Sequence, residues 1–226
     1  MTRRIWLGVV AFFSIGVALV ASAPWLLGLV EGGRDLPPLV AHLFERYSAR
    51  QLVFVGHVAC GACALLAGPW QLMPRLRARR PRLHRVTGIA YACAVAVAGC
   101  MGLVLATTAW GGPVAQVGFA SLAIAWLATT AIGVHRIVVA GDRAAHGIWM
   151  TRSFALTFAA VSLRVQAPLL GVLGVPAVIA YQTVAWSSWV PNLVVVHWLR
   201  RKAAGATPVH RRNARVNELC SANPSR

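Results

Sequence analysis

Six long apolar runs, separated by short polar segments, limit what this chain can fold into. They cover about residues 5–30, 51–73, 86–110, 114–135, 147–170 and 177–199, and each is long enough for a helix that crosses a bilayer. Hydrophobic residues make up 58% of the chain and charged residues only 12%, which is too apolar for an ordinary soluble domain. The sequence therefore predicts an all-α, polytopic integral membrane bundle of six transmembrane helices, with no room for a soluble domain.

The chain is also strongly basic, with 22 Lys and Arg residues against 5 Asp and Glu residues. Such a balance can indicate nucleic-acid binding, but here the charges lie in the short segments between apolar runs, so the predicted partner is the lipid bilayer and not nucleic acid. Arg3, Arg4, the segments 75–85 and 136–143, and the tail all fall on one side of the predicted topology. The positive-inside rule then places both termini in the cytoplasm.

Three segments need separate interpretation. Arg3, Arg4 and the small residues 21–23 resemble a secretory signal peptide, but the apolar run continues beyond residue 23, which favours an uncleaved first helix. In segment 37–48 apolar residues recur at helical spacing, which predicts an amphipathic helix on the membrane surface. Residues 201–226 are basic and polar and are predicted to form a disordered cytoplasmic tail.

The fifth apolar run carries ionisable residues that a membrane-spanning helix usually lacks. His146 and Arg164 are about five helical turns apart, so they share one face and lie roughly 27 Å from each other. We expect this small, polar face to line the bundle interior and the bulky opposite side to face lipid, with Arg152 off the polar face. The polar face holds Met150, Ser153, Thr157 and Ala160, and the bulky side holds Ile148, Phe154 and Phe158.

The predicted topology sorts the ionisable residues of the spans into two layers. An inner layer near the cytoplasmic helix ends holds His84, His135, His146 and Arg152, and an outer layer holds His57 and Arg164. Ionisable residues inside spans are expensive in lipid and so suggest a functional site.

The inner layer is consistent with a haem b site in a transmembrane electron-transfer protein. Haem in membrane bundles is held by neutral imidazoles from facing helices, and His84 and His146 are predicted to lie at a similar level. Tyr91, with Gly88 and Ser153, would make space for the macrocycle, and Arg152 or Arg85 would pair with a propionate.

Other functions remain open. A quinone or substrate pocket would use His57, Arg164 and Gln71. A His/Arg polar pathway would instead make the chain a small-molecule transporter or channel-like protein. A metal site would use His135 with His84 and His146, but their spacing requires tertiary contacts. A structural membrane protein without any cofactor is the remaining alternative.

The cysteines are not expected to form a disulfide framework. Cys60, Cys63, Cys93 and Cys100 lie within apolar runs, and we interpret them as small packing residues.

A set of motifs between about residues 52 and 199 resembles a known bacterial family of predicted membrane proteins, domain of unknown function 2306. The resemblance implies a multi-helix domain in the bacterial inner membrane and no established reaction. His197 departs from the family, in which an acidic residue is expected in the sixth helix. The motifs are His57, Gly68-Pro69-Trp70-Gln71, Leu83-His84-Arg85, Gly88, Tyr91, Trp126, His146 with Trp149 to Thr157, Leu163-Arg164, and Trp189-Val190-Pro191-Asn192-Leu193.

Overall fold

The computed structural model describes residues 8–18 and 48–205, and within these residues the secondary structure is helical with no strand. A 3-10 turn at Ser48–Arg50 precedes the second helix. The helices are α1 (Gly8–Ala18), α2 (Gln51–Gln71), α3 (Pro74–Arg79), α4 (Pro81–Ala106), α5 (Gly112–Val138), α6 (Arg143–Thr157), α7 (Ala159–Val172), α8 (Ala177–Ser187) and α9 (Val190–Gly205).

Four helical stretches are long and apolar enough to cross a membrane. They are α2, α4, α5 and the stretch Arg143–Val172, which combines α6 and α7. The run predicted as the sixth span holds two shorter helices, α8 and α9, and only Gly8–Ala18 is described from the predicted first span. The amphipathic segment predicted at 37–48 lies outside the described residues except for its last residue, as does the tail beyond Gly205. Residues 201–205, predicted to be disordered, continue α9.

The connections define two ends of the bundle. We call the end formed by residues 72–82 and 139–143 the basic end, and the end formed by residues 107–111 and 173–176 the opposite end. At the opposite end, Gly111 and Gly112 have φ angles of 92° and 71°, a conformation that suits glycine and reverses the chain. At the basic end, Asp142 Oδ1 accepts a hydrogen bond from Ala145 N at 2.9 Å and so caps α6.

Neighbouring helices in the chain are also neighbours in space. Helix α2 packs mainly against α4, and α5 lies between α4 and α6. Helix α8 covers α5 and α7, while α9 packs against α6. A contact between α2 and α6 closes this arrangement, so that α2, α4, α5 and α6 surround one core. Seven buried residues form that core, namely Ala64, Tyr91, Val95, Ala98, Trp126, Phe154 and Leu156.

The orientation predicted for Phe154 is wrong. Its ring was expected to face lipid, but it is 6% exposed and packs on Gly68 of α2. A Cβ atom added to Gly68 would overlap this ring, so only glycine permits the close approach of α2 and α6. The cysteines also differ from expectation, because only Cys60 packs against the core and Cys63, Cys93 and Cys100 are exposed.

Candidate ligand-binding site

A cavity of about 60 Å³ lies between α1, α2 and α7. One buried water needs roughly 10–15 Å³ of such volume, so the space admits several waters or a head group of a few heavy atoms. Two polar side chains, His57 and Arg164, line it together with small and aliphatic residues. The remaining lining residues are Val17, Ala18, Val58, Gly61, Ala62, Leu65 and Ala160.

His57 is held against α4 by one ring nitrogen. Its Nδ1 lies 2.8 Å from the carbonyl oxygen of Ala98, and because a carbonyl only accepts, Nδ1 carries the proton and donates. A Cβ atom at Gly102 would lie 3.1 Å from His57 Cε1, so the glycine provides the notch that the ring occupies. In the neutral ring, Nε2 is therefore an acceptor, and it makes no hydrogen bond with any described residue.

Arg164 makes one hydrogen bond with the described part of the chain. One guanidinium nitrogen donates to Ala160 O, 3.0 Å away on the same helix, and the side chain is exposed. A guanidinium has five N–H donors, so several remain available. The described part of the chain contains one carboxylate, Asp142, which caps α6 at the basic end. Arg164 therefore has no acidic partner among residues 8–18 and 48–205.

Gln71, grouped with His57 and Arg164 in the sequence analysis, lies elsewhere. It is at the basic end, beside His84. With its amide oriented to satisfy its neighbours, Gln71 donates to His84 Nδ1 at 2.9 Å and accepts from Thr87 Oγ1. Its side chain also occupies the space next to Gly88. The structure thus brings His57 and Arg164 to one cavity and separates Gln71 from them.

His146 and Arg152 lie near the basic end, at the level expected for the inner layer. His146 Nδ1 donates to the carbonyl oxygen of Gly133 on α5 at 2.8 Å. Arg152 stacks on Trp149, with its guanidinium carbon 4.6 Å from the ring centroid. The Arg152 guanidinium, which was expected to pair with a haem propionate, is therefore engaged in a cation–π contact.

The Tyr91 hydroxyl belongs to a buried hydrogen-bond network. It is 2% exposed, and its hydroxyl lies 2.8 Å from Ser153 Oγ and 2.7 Å from Thr157 Oγ1. Trp126 Nε1 donates to Thr157 Oγ1 at 2.9 Å, and Thr130 Oγ1 lies 2.7 Å from Ser153 Oγ. The network joins α4, α5 and α6, so Tyr91 and Ser153 fill the space that we had assigned to a macrocycle.

His135 is an exposed residue in the last turn of α5. Across the described ranges, no group of three or more His, Cys, Asp or Glu side chains is placed to hold a metal ion. The three histidines considered for a metal site, His84, His135 and His146, are therefore not gathered into one.

Two polar contacts near the break between α8 and α9 were missed from the sequence. Asn192 Nδ2 donates to Ala155 O at 3.1 Å and to Ser162 Oγ at 3.2 Å, and Gln166 pairs with Ser187. The signal that could have found the Gln166–Ser187 contact is Pro191, because a proline within an apolar run leaves the carbonyl four residues earlier without its helical donor.

Of the comparisons with known proteins, the family match agrees with this helical membrane architecture. No curated protein and no solved structure matches the chain significantly. The family described as "Predicted membrane protein (DUF2306)" matches residues 54–199, well over half of the chain. The match covers α2 from its fourth residue through most of α9 and includes both His57 and Arg164. The chain therefore belongs to the family of predicted membrane proteins called domain of unknown function 2306.

Proposed function

We propose that this membrane protein binds an apolar small molecule whose head carries a carbonyl or carboxylate oxygen, with that head in the cavity between His57 and Arg164. Quinones and fatty acids share this chemistry. The observation that carries the proposal is that a cationic donor and an imidazole acceptor line the same small cavity.

Arg164 supports a ligand oxygen as its partner, because no acidic side chain within residues 8–18 and 48–205 pairs with it. A guanidinium without a carboxylate partner is costly in or near a bilayer, and such residues commonly mark substrate or ion pathways. Its remaining N–H groups form a planar fork that matches a carboxylate or a carbonyl oxygen.

His57 supplies a hydrogen-bond acceptor beside the Arg164 donors. Because Nδ1 donates to Ala98 O, Nε2 can accept a hydrogen bond from a quinol or carboxylic acid hydroxyl. The pair can thus bind a carbonyl or carboxylate oxygen at Arg164 and, in the reduced quinol or the protonated acid, a hydroxyl at His57. The other lining residues are small or aliphatic and offer no competing side-chain hydrogen bond.

The size of the cavity favours a head group over a whole ligand. At about 60 Å³ it admits only a few heavy atoms, so the apolar remainder of the molecule would extend beyond it, along the helices. Gly61 faces this space, and a Cβ atom built there would meet nothing within 4 Å. A larger side chain at this position would therefore fill the cavity without displacing a neighbour.

A binding experiment on delipidated protein in mild detergent tests the proposal. The probes are decylubiquinone and palmitate, and the readout is the shift of the thermal unfolding midpoint with probe concentration. We expect one of the two to stabilise the wild type, which identifies the ligand class. Arg164→Gln should weaken binding about 10-fold or more, since a hydrogen bond to a charged group contributes about 1.5–3 kcal/mol. Gly61→Leu should abolish it.

Matched variants separate binding from general damage. Arg143→Gln removes an exposed arginine at the basic end, and Gly171→Leu adds the same side chain at another position with open space around it. Both should bind like the wild type. If neither probe stabilises the wild type, or if both controls lose binding as the cavity variants do, the proposal fails.

A haem-binding electron-transfer function has weaker support from the geometry. In its favour, the Nδ1 of His146 donates to Gly133 O, which leaves Nε2 available as a ligand, and His84 is nearby. Against it, the Gln71 amide donates to His84 Nδ1, so the proton of the neutral ring is on Nε2. A dithionite-reduced minus oxidised absorbance spectrum of protein from haem-replete cells tests it, since a cytochrome would show sharp α and Soret bands.

A transport pathway would have to connect the His57 cavity with the basic end. Between them lie buried core residues that include Val95 and Leu156, both 2% exposed or less. Transport would therefore require α4 and α6 to separate. Uptake of the identified probe into vesicles, compared with the Gly61→Leu variant, distinguishes transport from binding alone.

We further propose that the protein lies in a bacterial inner membrane with the basic end in the cytoplasm. The Arg-rich segments 75–85 and 136–143 support this orientation through the positive-inside rule.

A further inference from the structure

An apolar groove of about 760 Å³ runs along the side of the bundle between α4 and α5. It shares no lining residue with the His57 cavity. Its floor is formed largely by alanine and valine side chains, and several of them, such as Ala96 and Ala128, are exposed. The groove therefore faces whatever surrounds the bundle.

Each helix contributes one stripe to this groove. On α4 the stripe contains Ala92 and Ala96, and on α5 it contains Ala128, Ala131 and His135. Residues four, seven and eleven apart lie on one helical face. His135 thus continues the α5 stripe towards the basic end.

On α4, too, a polar residue continues the stripe towards the basic end. Arg85 is seven residues before Ala92, so it lies on the groove side of α4, about 10 Å closer to the basic end. It is exposed, and no ion pair involves it within the described chain, where Asp142 is the only acid. The groove is therefore apolar along its length and is bordered at one end by an arginine and a histidine.

We propose that this groove binds an anionic phospholipid. Its phosphate would lie between Arg85 and His135, and one acyl chain would run over the alanines towards the opposite end. An anionic lipid complements both parts of the groove. Its acyl chain matches the apolar floor, and its phosphate matches the basic residue at the membrane surface. Lys and Arg residues at this depth attract anionic head groups, and small residues let an apolar chain approach the helix backbone.

Charge complementarity favours a lipid over a second copy of the chain. Small-residue stripes also mediate helix–helix contacts in membranes. A copy related by a two-fold axis along the membrane normal would, however, place Arg85 and His135 next to their equivalents. Two arginines that face each other across an interface are unfavourable, whereas a phosphate would pair with Arg85 and accept a hydrogen bond from the His135 ring.

The test counts lipids bound to the full-length, delipidated protein in detergent by native mass spectrometry. The probes are dioleoylphosphatidylglycerol and its zwitterionic counterpart dioleoylphosphatidylcholine. We expect the first to bind preferentially. Arg85→Gln should weaken its binding about five-fold, the contribution of one basic residue near a membrane surface. Ala128→Leu and Ala96→Leu should weaken it further by filling the groove.

Two variants provide matched controls. Arg79→Gln removes an exposed arginine of α3, and Ala90→Leu enlarges an exposed residue on the other side of α4. Both should keep the preference for phosphatidylglycerol. Equal binding of the two lipids would overturn the proposal, and so would equal losses in Arg85→Gln and Arg79→Gln. A dimer that Ala128→Leu dissociates, with lipid binding unchanged, would show instead that the groove joins two copies.

Discussion

Gln166 of α7 hydrogen-bonds Ser187 at the point where α8 ends. Gln166 Nε2 donates to Ser187 O at 3.3 Å, and Ser187 Oγ donates back to Gln166 Oε1 at 2.6 Å. In an unbroken helix the N–H of residue 191 would bond to this carbonyl, but Pro191 has none. The glutamine therefore satisfies the carbonyl that the proline leaves open, and it ties α7 to the break between α8 and α9.

Gln166→Leu should lower the free energy of unfolding by about 1 kcal/mol, because hydrogen bonds between membrane helices contribute roughly 0.6–1.7 kcal/mol. The measurement is chemical unfolding in mixed micelles. Gln116→Leu, a change at a similarly half-buried glutamine of α5, is the control and should cost less. Equal losses would mean that the Gln166–Ser187 pair adds nothing specific.

The proline supplies a second and sharper test of the same pair. In a Pro191→Ala background, residue 191 has an N–H that can bond to Ser187 O, so Gln166 becomes partly redundant. The cost of Gln166→Leu should then be smaller than in the wild type. A double-mutant cycle measures this difference. Additive costs would show that Gln166 does not compensate for the proline.

Gly68→Ala should destabilise the protein by about 1–3 kcal/mol, the usual cost of overpacking. The added Cβ would overlap the ring of Phe154, which cannot move away because it is buried. Gly61→Ala on the same helix has open space and should be neutral or stabilising. Phe154→Leu should relieve most of the loss in Gly68→Ala, as measured by thermal unfolding. A tolerated Gly68→Ala would contradict the close approach of α2 and α6.

The helices themselves could be predicted from the sequence. Apolar runs of sufficient length define α2, α4, α5 and the α6–α7 stretch, since a bilayer imposes that length. The helices also extend beyond the predicted spans. Helix α4 begins at Pro81 rather than near residue 86, because a proline suits the first turn of a helix even where the sequence is charged.

The rotation of each helix was harder to predict. The face of α6 with Ser153 and Thr157 does lie in the interior. Phe154, on the side that was expected to face lipid, is buried as well. One sequence shows which residues share a face. It does not show how many neighbours surround the helix, and α6 contacts α2, α5 and α9. Gln71 was misplaced for the same reason, since its partner His84 follows only from the packing of α2 against α4.

Tyr91→Phe should lower stability by about 1–2 kcal/mol without changing ligand binding at the His57 cavity. The phenol hydroxyl bonds to Ser153 and Thr157, and removing it leaves buried hydroxyl groups with fewer partners. Thr183→Val is the control, because Thr183 is exposed and its hydroxyl bonds only within α8, to Ile179 O. Thermal unfolding with and without the probe gives both readouts. A stable Tyr91→Phe variant would mean that the network is not needed for packing.

The orientation of the bundle is the last prediction. If the basic end faces the cytoplasm, a cysteine at position 172 should react with a membrane-impermeant maleimide in intact cells. One at position 140 should react only after permeabilisation. Val172 and Ala140 are both exposed and lie at opposite ends, and the native cysteines would first be replaced by serine. The physical reason is that arginine-rich connections resist translocation. The reverse labelling pattern would place Arg164 in the cytoplasmic half, so the ligand would enter from that side.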